Sequence, residues 1–312
     1  MPTVLTAHRW SEDVSLLRCP TCAGALALEE TAEREVLVCA ECKDTTPIVR
    51  GIPRFVESDG YADNFSLEWK IHQRTQLDGA WGELSERTFH ERFGLPLDFW
   101  PGKRVLDVGI GPGRYAQAAL KAGAEVWGMD LSYAIDVAAN NLGASPALRL
   151  VQGDALALPF APESFDVIYS FGVLHHTPDP WSAFAGLVKL LKPGGVICVT
   201  LYENQGMYHS SRFVRRFTTK LPAAVLYPLS ALMTILLYVP YRWLGVRYGI
   251  LGRLAPISLS SNLREAILDT YDCYSPRYQF TFSVHEVFQL FKQHGLRDID
   301  VRPQPVTVLG WK

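Results

Sequence analysis

A stretch of eleven residues, VLDVGIGPGRY (105–115), restricts the fold of this chain more than any other feature. A short apolar run ends here in an aspartate and three spaced glycines, and a helical pattern begins directly afterwards. Glycines in this arrangement permit a tight turn and let the backbone approach a ligand that a Cβ would exclude. The stretch therefore predicts a strand–turn–helix unit. Taken alone, such a turn serves dinucleotides, nucleosides and plain packing equally well.

The pattern that follows this turn is that of a parallel α/β sheet. From Lys103 onward, short apolar runs alternate with longer stretches of helical spacing, which is typical of such sheets. A helix over Ser283–His294 and two short strands are expected to complete the unit. The predicted strands are Arg104–Val108, Glu125–Met129, Leu148–Gln152, Phe165–Ser170 and Gly195–Leu201.

Acidic residues follow two of these strands, at the edge where open α/β sheets bind ligands. Asp130 ends the second apolar run, 21 positions after Gly109, where a carboxylate can accept hydrogen bonds from both ribose hydroxyls. Asp154 follows the third strand and is placed to accept the adenine amino group, while Ala155 offers its backbone N–H. The set predicts a cofactor that contains a nucleoside.

In this order, VLDVGIGPGRY, QGDALALPF, FDVIYSFGVLHH and LLKPGG resemble the class I S-adenosylmethionine-dependent methyltransferases, in particular the branch that includes quinone methylases. The resemblance covers about residues 102–202. It implies a Rossmann-like methyltransferase sheet with S-adenosylmethionine as cofactor, and it places Asp107 near the cofactor's ammonium group. The other implied cofactor residues are Gly109, Gly111 and Gly113 at the methionine and ribose, Asp130 at the ribose, Asp154 and Ala155 at the adenine, and also Leu131, Ser170 and Phe171.

The alternative to a methyltransferase is a dinucleotide-binding Rossmann domain. A carboxylate just before the first glycine disfavours it, because the pyrophosphate of a nicotinamide cofactor would be repelled there. Residues 64–78 resemble the segment that precedes the core in bacterial methyltransferases found near polysaccharide genes. Trp69, Gln73 and Gln76 of this segment are candidates for a lid over the cofactor, and a surface helix is the alternative.

Four of the six cysteines form two CxxC pairs, Cys19 with Cys22 and Cys39 with Cys42. Two residues between the thiols let both cysteines of a pair bind the same tetrahedral metal ion, and the second pair completes its four-sulfur coordination. The spacing predicts one structural zinc ion. The metal would supply folding free energy to a segment too small for a core of its own. A redox pair and an iron site are the alternatives. The segment resembles the zinc ribbons that serve as methyltransferase activators and that precede some rRNA guanine methyltransferases.

No acidic residue stands between Glu203 and Glu265. Within this interval, Leu221–Tyr241 carries no charge and approaches the ~20 residues of a membrane span. Three prolines are expected to leave uninterrupted helix that is too short to cross. The sequence favours a helix at the surface of an anionic bilayer or a gate for a lipid substrate; a buried lid, a dimer helix and a true span are the alternatives. The basic residues are Arg212, Arg215, Arg216, Lys220, Arg242, Arg247, Arg253 and Arg264.

The candidate base follows the fourth predicted strand. A base is needed only when the methyl acceptor is a hydroxyl or a carbon acid, and His175 or His176 is expected to supply it, with His175 preferred. A histidine that only caps the loop is the alternative. Tyr202, Glu203 and the polar cluster at 269–278 are further candidates to face the acceptor.

The sequence as a whole predicts an α/β enzyme at the cytoplasmic face of a membrane. The first fifteen residues lack the apolar run of a secretory signal, and a net charge of −2 creates no overall attraction to nucleic acid. The expected acceptor is a lipid-like or lipid-linked small molecule methylated on oxygen or carbon; an RNA base methyltransferase and a non-catalytic cofactor-binding partner are the alternatives. The predicted regions are a zinc ribbon (1–58), a helical lead-in or lid (59–102), a methyltransferase core (103–203), an apolar basic insertion (204–282) and a C-terminal helix with a strand pair (283–312).

Overall fold

A computed structural model describes residues 10–30, 35–77, 84–143, 145–243, 255–260, 262–304 and 306–312. Arg247 and Arg253 of the predicted basic segment lie outside the described residues. Within the described part, the strands form one sheet of four strands and one of seven.

The smaller sheet is built from the N-terminal cysteine region and follows a short helix, α1 (Trp10–Asp13). Its four strands are antiparallel and neighbour one another in chain order. The cysteine region therefore folds as a small antiparallel sheet. The strands are β1 (Leu26–Glu30), β2 (Glu35–Cys39), β3 (Thr45–Val49) and β4 (Ile52–Pro53).

The larger sheet has the strand order β10-β11-β9-β8-β5-β6-β7. Strands β5 to β9 are parallel, β11 runs antiparallel to β9, and β10 runs antiparallel to β11. All five predicted parallel strands are present, and the fifth begins earlier than predicted because Leu191 already pairs with Phe165. The strands are β5 (Arg104–Val108), β6 (Glu125–Asp130), β7 (Leu148–Gln152), β8 (Phe165–Phe171), β9 (Leu191–Thr200), β10 (Arg297–Val301) and β11 (Thr307–Trp311).

Local sequence signals fix several helix ends. Asp179 accepts hydrogen bonds from the backbone N–H groups of Trp181 and Ser182, with Pro180 in the first helical turn. A Ser283–Glu286 capping box begins the predicted C-terminal helix. The remaining helices are α2 (Asp63–Ile71), α3 (Leu84–Phe93), α4 (Arg114–Lys121), α5 (Ala134–Leu142), α6 (Pro180–Leu190), α7 (Gly206–Ser210), α8 (Arg212–Thr218), α9 (Ala223–Trp243), α10 (Leu263–Tyr274) and α11 (Val284–Gln293).

The cysteine region and the seven-stranded sheet share one hydrophobic core. Leu17 and Leu37 belong to the same buried cluster as Trp127 of β6. The chain after β4 continues along the free edge of β7, where the N–H of Phe55 donates to the carbonyl of Gln152 at 2.9 Å. The N-terminal sheet therefore packs against the larger sheet in a common core, although the two sheets come from different parts of the chain.

The insertion forms a helical layer in which α9 packs against α10. Helix α9 runs through Pro228 and Pro240, so the expectation that prolines would shorten it is wrong. Each internal proline removes a backbone hydrogen bond, and the packing of Leu226 against Tyr271 and Tyr274 offsets that loss on one face. By length and composition alone, residues 223–242 would suffice to cross a membrane, with 17% of the apolar window buried.

Candidate active site and cysteine cluster

A cavity of about 380 Å³ opens at the carboxyl edge of the seven-stranded sheet. This is the edge at which the sequence places the cofactor motifs. The strand ends contribute residues that follow β5, β6, β7, β8 and β9 in turn. These residues are Gly109, Ile110, Gly111, Asp130, Leu131, Ala155, Phe171 and Thr200.

Three glycines shape the turn between β5 and α4. All three have positive φ, namely +79° at Gly109, +55° at Gly111 and +91° at Gly113, a region that disfavours other residues. A Cβ at Gly109 would stand 2.2 Å from a methyl of Val173, and one at Gly113 would stand 2.8 Å from a methyl of Leu142. Gly109 and Gly111 line the cavity, whereas Gly113 lies outside its wall and allows α4 to pack closely.

Asp130 connects this turn to the loop after β6. Its carboxylate accepts hydrogen bonds from the N–H of Gly111 at 3.0 Å and from the N–H and hydroxyl of Ser132 at 2.9 and 2.8 Å. Burial raises the pKa of Asp130 above its ordinary value. The carboxylate thus holds the cavity wall and faces the space in which a cofactor ribose would lie.

Some predicted cofactor residues stand behind the wall. Asp107 accepts a hydrogen bond from the hydroxyl of Tyr169 at 2.8 Å, and burial raises its pKa to about 8. Ser170 donates to the carbonyl of Val108 at 3.0 Å and so joins β8 to β5. Neither side chain lines the cavity. Both act on the cavity through the strands that they connect.

Asp154 also lies outside the cavity wall, and its partner comes from the lead-in. The hydroxyl of Tyr61 donates to its carboxylate at 2.6 Å, and the backbone N–H of Leu156 donates to the same oxygen at 2.9 Å. Tyr61 itself lines the cavity. The lead-in therefore reaches the region where the sequence predicts adenine.

The predicted lid lies over the cavity, with one exception. Trp69 and Phe65 of α2 line it, as does Gln76, which follows that helix. Gln73 is exposed to solvent instead, so its assignment to the lid is corrected. The backbone carbonyl of Gln73 accepts from the side chain of Asn141, which also donates to the carbonyl of Pro112 in the glycine turn.

Two half-buried arginines were not found from the sequence. The guanidinium of Arg92 lies 4.5 Å from the ring centre of Phe171 and 5.0 Å from that of Tyr115, and Arg114 lies 4.5 Å from the latter. Both line the cavity, and among the described residues neither Nε has a hydrogen-bond partner. Arg114 could have been identified from the sequence, because it stands directly after the glycine turn. Arg92 could not, because it lies in an ordinary helical pattern.

The two histidines occupy different positions. His176 lines the cavity, and its Nδ1 lies 3.0 Å from the carbonyl of Tyr278. Because a carbonyl only accepts, Nδ1 carries the proton in neutral His176 and Nε2 is left with a lone pair. Burial lowers the pKa of His176. Asp272 Oδ1 lies 3.8 Å from Nε2 and would stabilise a proton arriving there.

His175 is fully buried and does not line the cavity. Its ring packs on Tyr202 at 3.8 Å between ring centres, and burial lowers its pKa well below the ordinary value. The preference for His175 as base is therefore corrected in favour of His176. A tight 3-10 turn over 174–176 turns the two rings in different directions, which the sequence did not indicate.

Three carboxyl groups also line the cavity, Glu68 of α2 and Asp269 and Asp272 of α10. The hydroxyl of Tyr202 donates to Asp272, and Ser258 donates to Asp269 at 2.9 Å. Burial raises the pKa of Asp269 to about 7 and that of Glu68 well above its ordinary value. Of the polar cluster at 269–278, Asp269 and Asp272 thus line the cavity, as does Tyr202. Glu203 does not line it.

The four N-terminal cysteines come together at two matching knuckles. Their sulfur atoms lie within 4.8 Å of one another, with Cys19–Cys42 at 3.6 Å and Cys22–Cys39 at 3.4 Å. Tetrahedral zinc with Zn–S bonds of about 2.3 Å places sulfur atoms roughly 3.8 Å apart. The donor set and its size therefore fit one zinc ion.

A chain of hydrogen bonds joins the cysteine region to the cavity wall. Arg54, which follows β4, donates to both carboxylate oxygens of Asp136 at 2.9 and 2.8 Å and to the side-chain oxygen of Gln152 at 3.1 Å. Gln152 in turn donates to the carbonyl of Leu131 at 2.9 Å. Leu131 lines the cavity, so the position of its backbone depends on the N-terminal sheet.

The parallel-rich sheet with a glycine turn after β5 fits a Rossmann-like methyltransferase fold. Residues 106–199 match the family model for a methyltransferase domain. This part of the chain is therefore similar to methyltransferase domains.

Curated relatives support the same class. A sterol 24-C-methyltransferase from Gibberella zeae is 35% identical over 142 residues, covering 41% of this chain and 37% of the relative. A ubiquinone biosynthesis O-methyltransferase from Alkalilimnicola ehrlichii is 40% identical over 154 residues, covering 44% of this chain and 62% of the relative. The chain spans between 28% and 62% of the length of the five curated relatives compared.

Among solved structures, an S-adenosylmethionine-dependent methyltransferase from Mesorhizobium loti is 30% identical, with a TM-score of 0.33. The match covers 38% of this chain and 54% of that chain. The cysteine region, the lid and the insertion therefore extend beyond the segment matched to the family.

Proposed function

We propose that the protein transfers a methyl group from S-adenosylmethionine to a small-molecule acceptor. One observation carries the proposal: the glycine turn, Asp130 and His176 all line the same cavity. A cofactor held by the turn and Asp130 and an acceptor held beside His176 would meet within that space. Transfer between them needs alignment more than it needs added chemistry.

The cavity residues fit the groups of this cofactor. S-adenosylmethionine supplies a methyl group on a sulfonium that is ready for transfer. Asp130 would hold the ribose, and Gly109 and Gly111 leave room for close approach of the backbone. The unpartnered Nε atoms of Arg92 and Arg114 would receive the carboxylate of its methionine part.

His176 would take the proton that the acceptor gives up. Its Nε2 carries a lone pair, as argued above, and burial lowers its pKa, so that it stays neutral at pH 7. Asp272, at 3.8 Å, would stabilise the imidazolium that forms. General base catalysis of this type contributes about 10²–10⁴-fold to the rate.

Labelled cofactor tests the proposal. Wild-type protein is incubated with methyl-labelled S-adenosylmethionine and separated lipid, small-molecule and RNA fractions of a cell extract. We expect label in the first two fractions, and label in none of them would contradict the proposal. His176→Ala is expected to lower transfer about 10²–10⁴-fold while keeping affinity for S-adenosylhomocysteine. His285→Ala, at an exposed position of α11, is the matched control.

We also propose that the insertion binds an anionic membrane surface at the cytoplasmic face. Residues spaced three or four apart place one apolar face of α9 in solvent, with exposed fractions between 45% and 63%. Phe213 and Phe217 of α8 are each 63% exposed. The apolar residues on α9 are Val225, Leu229, Leu232, Leu236 and Val239.

Basic side chains flank this apolar face and argue for anionic lipid as its occupant. Arg212, Arg216 and Lys220 are exposed beside the two phenylalanines, and such residues are attracted to the negative cytoplasmic leaflet. Arg215, by contrast, is buried and donates to the carbonyls of Cys273 and Pro276. An acceptor drawn from that surface would be amphipathic.

Flotation with phosphatidylglycerol vesicles tests the membrane proposal, with phosphatidylcholine vesicles for comparison. We expect wild-type protein to float with the anionic vesicles only, and the variant Leu232→Glu/Leu236→Glu to remain at the bottom. Leu97→Glu changes an equally exposed leucine outside the insertion and is the matched control. Wild-type protein that stays at the bottom, or a double variant that floats normally, would contradict the proposal.

The cysteine cluster is proposed to hold a structural zinc ion. Four sulfur donors leave no coordination position open for a substrate, so the metal would stabilise the N-terminal sheet and take no part in methyl transfer. Binding of RNA in the cavity is disfavoured by the three carboxyl groups that line it.

A further inference from the structure

Three acidic groups of the cavity wall, Glu68, Asp269 and Asp272, form no close ion pair with a lysine or arginine of the described residues. Arg215 interacts with Asp272 through its charge without an ion-pair contact. The imidazole of His176 lies 3.8 Å from Asp272. Arg114 favours ionisation of Asp269 through its charge, yet burial and the other acids outweigh it.

Glu68 is the observation that points to a ligand. Its side chain is 2% exposed, it lines the cavity, and its Oε2 has no hydrogen-bond partner among the described residues. Buried carboxyl oxygens are almost always hydrogen-bonded. The neighbouring acids Asp269 and Asp272 repel negative charge at Glu68. A ligand that brings both N–H donors and positive charge would remove both deficiencies, whereas a hydroxyl brings one donor and no charge.

Aromatic rings lie beside these acids. Tyr202, whose hydroxyl donates to Asp272, stacks on Tyr208 at 3.5 Å between ring centres. The ring of Phe65 lies 5.2 Å from that of His176. Ring faces attract ammonium groups, and carboxylates beside them add to the attraction. Rings and acids together resemble a receptor for an amine more than one for a neutral molecule.

The acids lie outside the segment that matches the methyltransferase family model. That segment, residues 106–199, contains instead Gly109, Asp130 and the other cofactor candidates of the sheet edge. Residues that recognise the acceptor are expected outside the shared segment, because the cofactor is common to the family and acceptors differ.

We propose that the acceptor atom is the nitrogen of an amine, held by Glu68, Asp269 and Asp272 beside the aromatic rings of the cavity. This inference rests on the proposed methyl transfer and replaces the expected oxygen or carbon. The acceptor binds as an ammonium ion, which has no lone pair, so it needs a base as a hydroxyl or a carbon acid does. It gives one proton to Nε2 of His176. The freed nitrogen lone pair forms a bond to the methyl carbon while the carbon–sulfur bond breaks, and sulfur keeps that electron pair.

The positive charge therefore moves from sulfur to nitrogen during the transfer, and S-adenosylhomocysteine leaves as a neutral thioether. The three carboxyl groups lie where that charge arrives. Groups placed to meet developing charge stabilise the transition state more than the ground state. The same acids would thus both bind the acceptor and favour its methylation.

Calorimetry with octylamine and 1-octanol tests the inference on protein saturated with S-adenosylhomocysteine. The two probes share an alkyl chain and differ in the head group, so binding to the apolar face of α9 affects both. We expect octylamine to bind at least about tenfold more tightly than octanol. Glu68→Gln is expected to remove most of that difference, and Asp269→Asn serves as a second variant. Glu57→Gln, at an exposed position outside the cavity wall, is the control.

Equal affinity for the two probes, or an unchanged preference in Glu68→Gln that still binds S-adenosylhomocysteine, would overturn the amine assignment. Label transferred to alcohols but not to amines would overturn it as well, and methyl transfer itself would stand. Wild-type protein that fails to bind S-adenosylhomocysteine would overturn the proposed function and this inference together. The first two results are thereby distinguished from the third.

Discussion

Replacing Asp136 by asparagine tests whether the N-terminal sheet and the seven-stranded sheet unfold as one unit. Asp136 lies on α5 and receives two hydrogen bonds from Arg54, which follows β4. The two side chains are only 8% and 12% exposed. Arg50 also donates to Asp136 at 3.1 Å, but it is 42% exposed. An exposed partner of that kind contributes little to stability, so the pair with Arg54 decides the outcome.

The magnitude follows from the burial of this pair. Breaking a buried ion pair by removing one partner costs about 3–5 kcal/mol, because the other charge stays buried and uncompensated. Asparagine keeps one acceptor for Arg54, which recovers about 1 kcal/mol. The expected loss in the free energy of unfolding is therefore about 2–4 kcal/mol. At about 2.1 cal/mol/K of unfolding entropy per residue, the 312-residue chain would melt roughly 3–6 °C lower.

Urea unfolding of zinc-saturated protein, followed by circular dichroism, measures this loss. Asp98→Asn changes an exposed aspartate and is the matched control, with an expected change within about 0.5 kcal/mol. In an Arg54→Met background, Asp136→Asn should cost much less, because its buried partner is already absent. A loss below about 1 kcal/mol, equal costs in both backgrounds, or a separate early transition of the N-terminal sheet would refute the reasoning.

Three further outcomes are expected. Cys19→Ser should lose stoichiometric zinc and also lower the melting temperature of the whole protein, because the cysteine region shares its core with the sheet. Metal analysis and thermal denaturation check the two results. An unchanged zinc content would exclude the metal site. Gly109→Ala should weaken S-adenosylhomocysteine binding, since its Cβ would stand 2.2 Å from Val173 and a left-handed φ costs about 1–2 kcal/mol; calorimetry that detects no change would contradict this. The imidazole of His176 should titrate below pH 6.5, because burial lowers its pKa. NMR of its ring protons follows it separately from Glu68 and Asp269, whose pKa values burial raises, and a midpoint above 6.5 would contradict a base that is neutral at pH 7.

The sheet could be predicted from the sequence because each parallel strand is buried on both faces. Such strands are written as continuous apolar runs, and β5 and β7 begin and end at the predicted residues. The largest boundary error, at the start of β9, falls in the LKPGG turn, where glycine and proline suggest a loop. Pairing of Leu191 with Phe165 extends the strand across it, and that pairing is a tertiary contact that no local pattern contains.

The site could be predicted only where its residues follow strands. Asp130, Leu131, Ala155 and Phe171 line the cavity because the carboxyl ends of parallel strands meet at one edge. A neighbouring residue in a strand or turn directs its side chain elsewhere. His175 therefore lies behind the cavity wall although His176 lines the cavity. The sequence specifies such orientations only through the three-dimensional packing of the loop.

Glu68 and Asp269 are separated by two hundred residues of chain, and neither stands in a motif. In a helical pattern, Glu68 is an ordinary polar residue that would be assigned to the surface. It is buried because α2 lies over the cavity and α10 closes the other side. A lid that brings its own acid into the cavity cannot be distinguished by periodicity from a lid that turns the acid to solvent.

The insertion gives the two proposals a common structural basis. Helix α9 presents its apolar face to solvent on one side, and on the other it packs through Leu226 against Tyr271 and Tyr274 of α10. Helix α10 carries Asp269 and Asp272 into the cavity. One layer therefore connects a surface suited to lipid with a pocket suited to an ammonium group. An amphipathic amine meets both requirements in one molecule, with its charged end among the acids and its apolar end toward the membrane face.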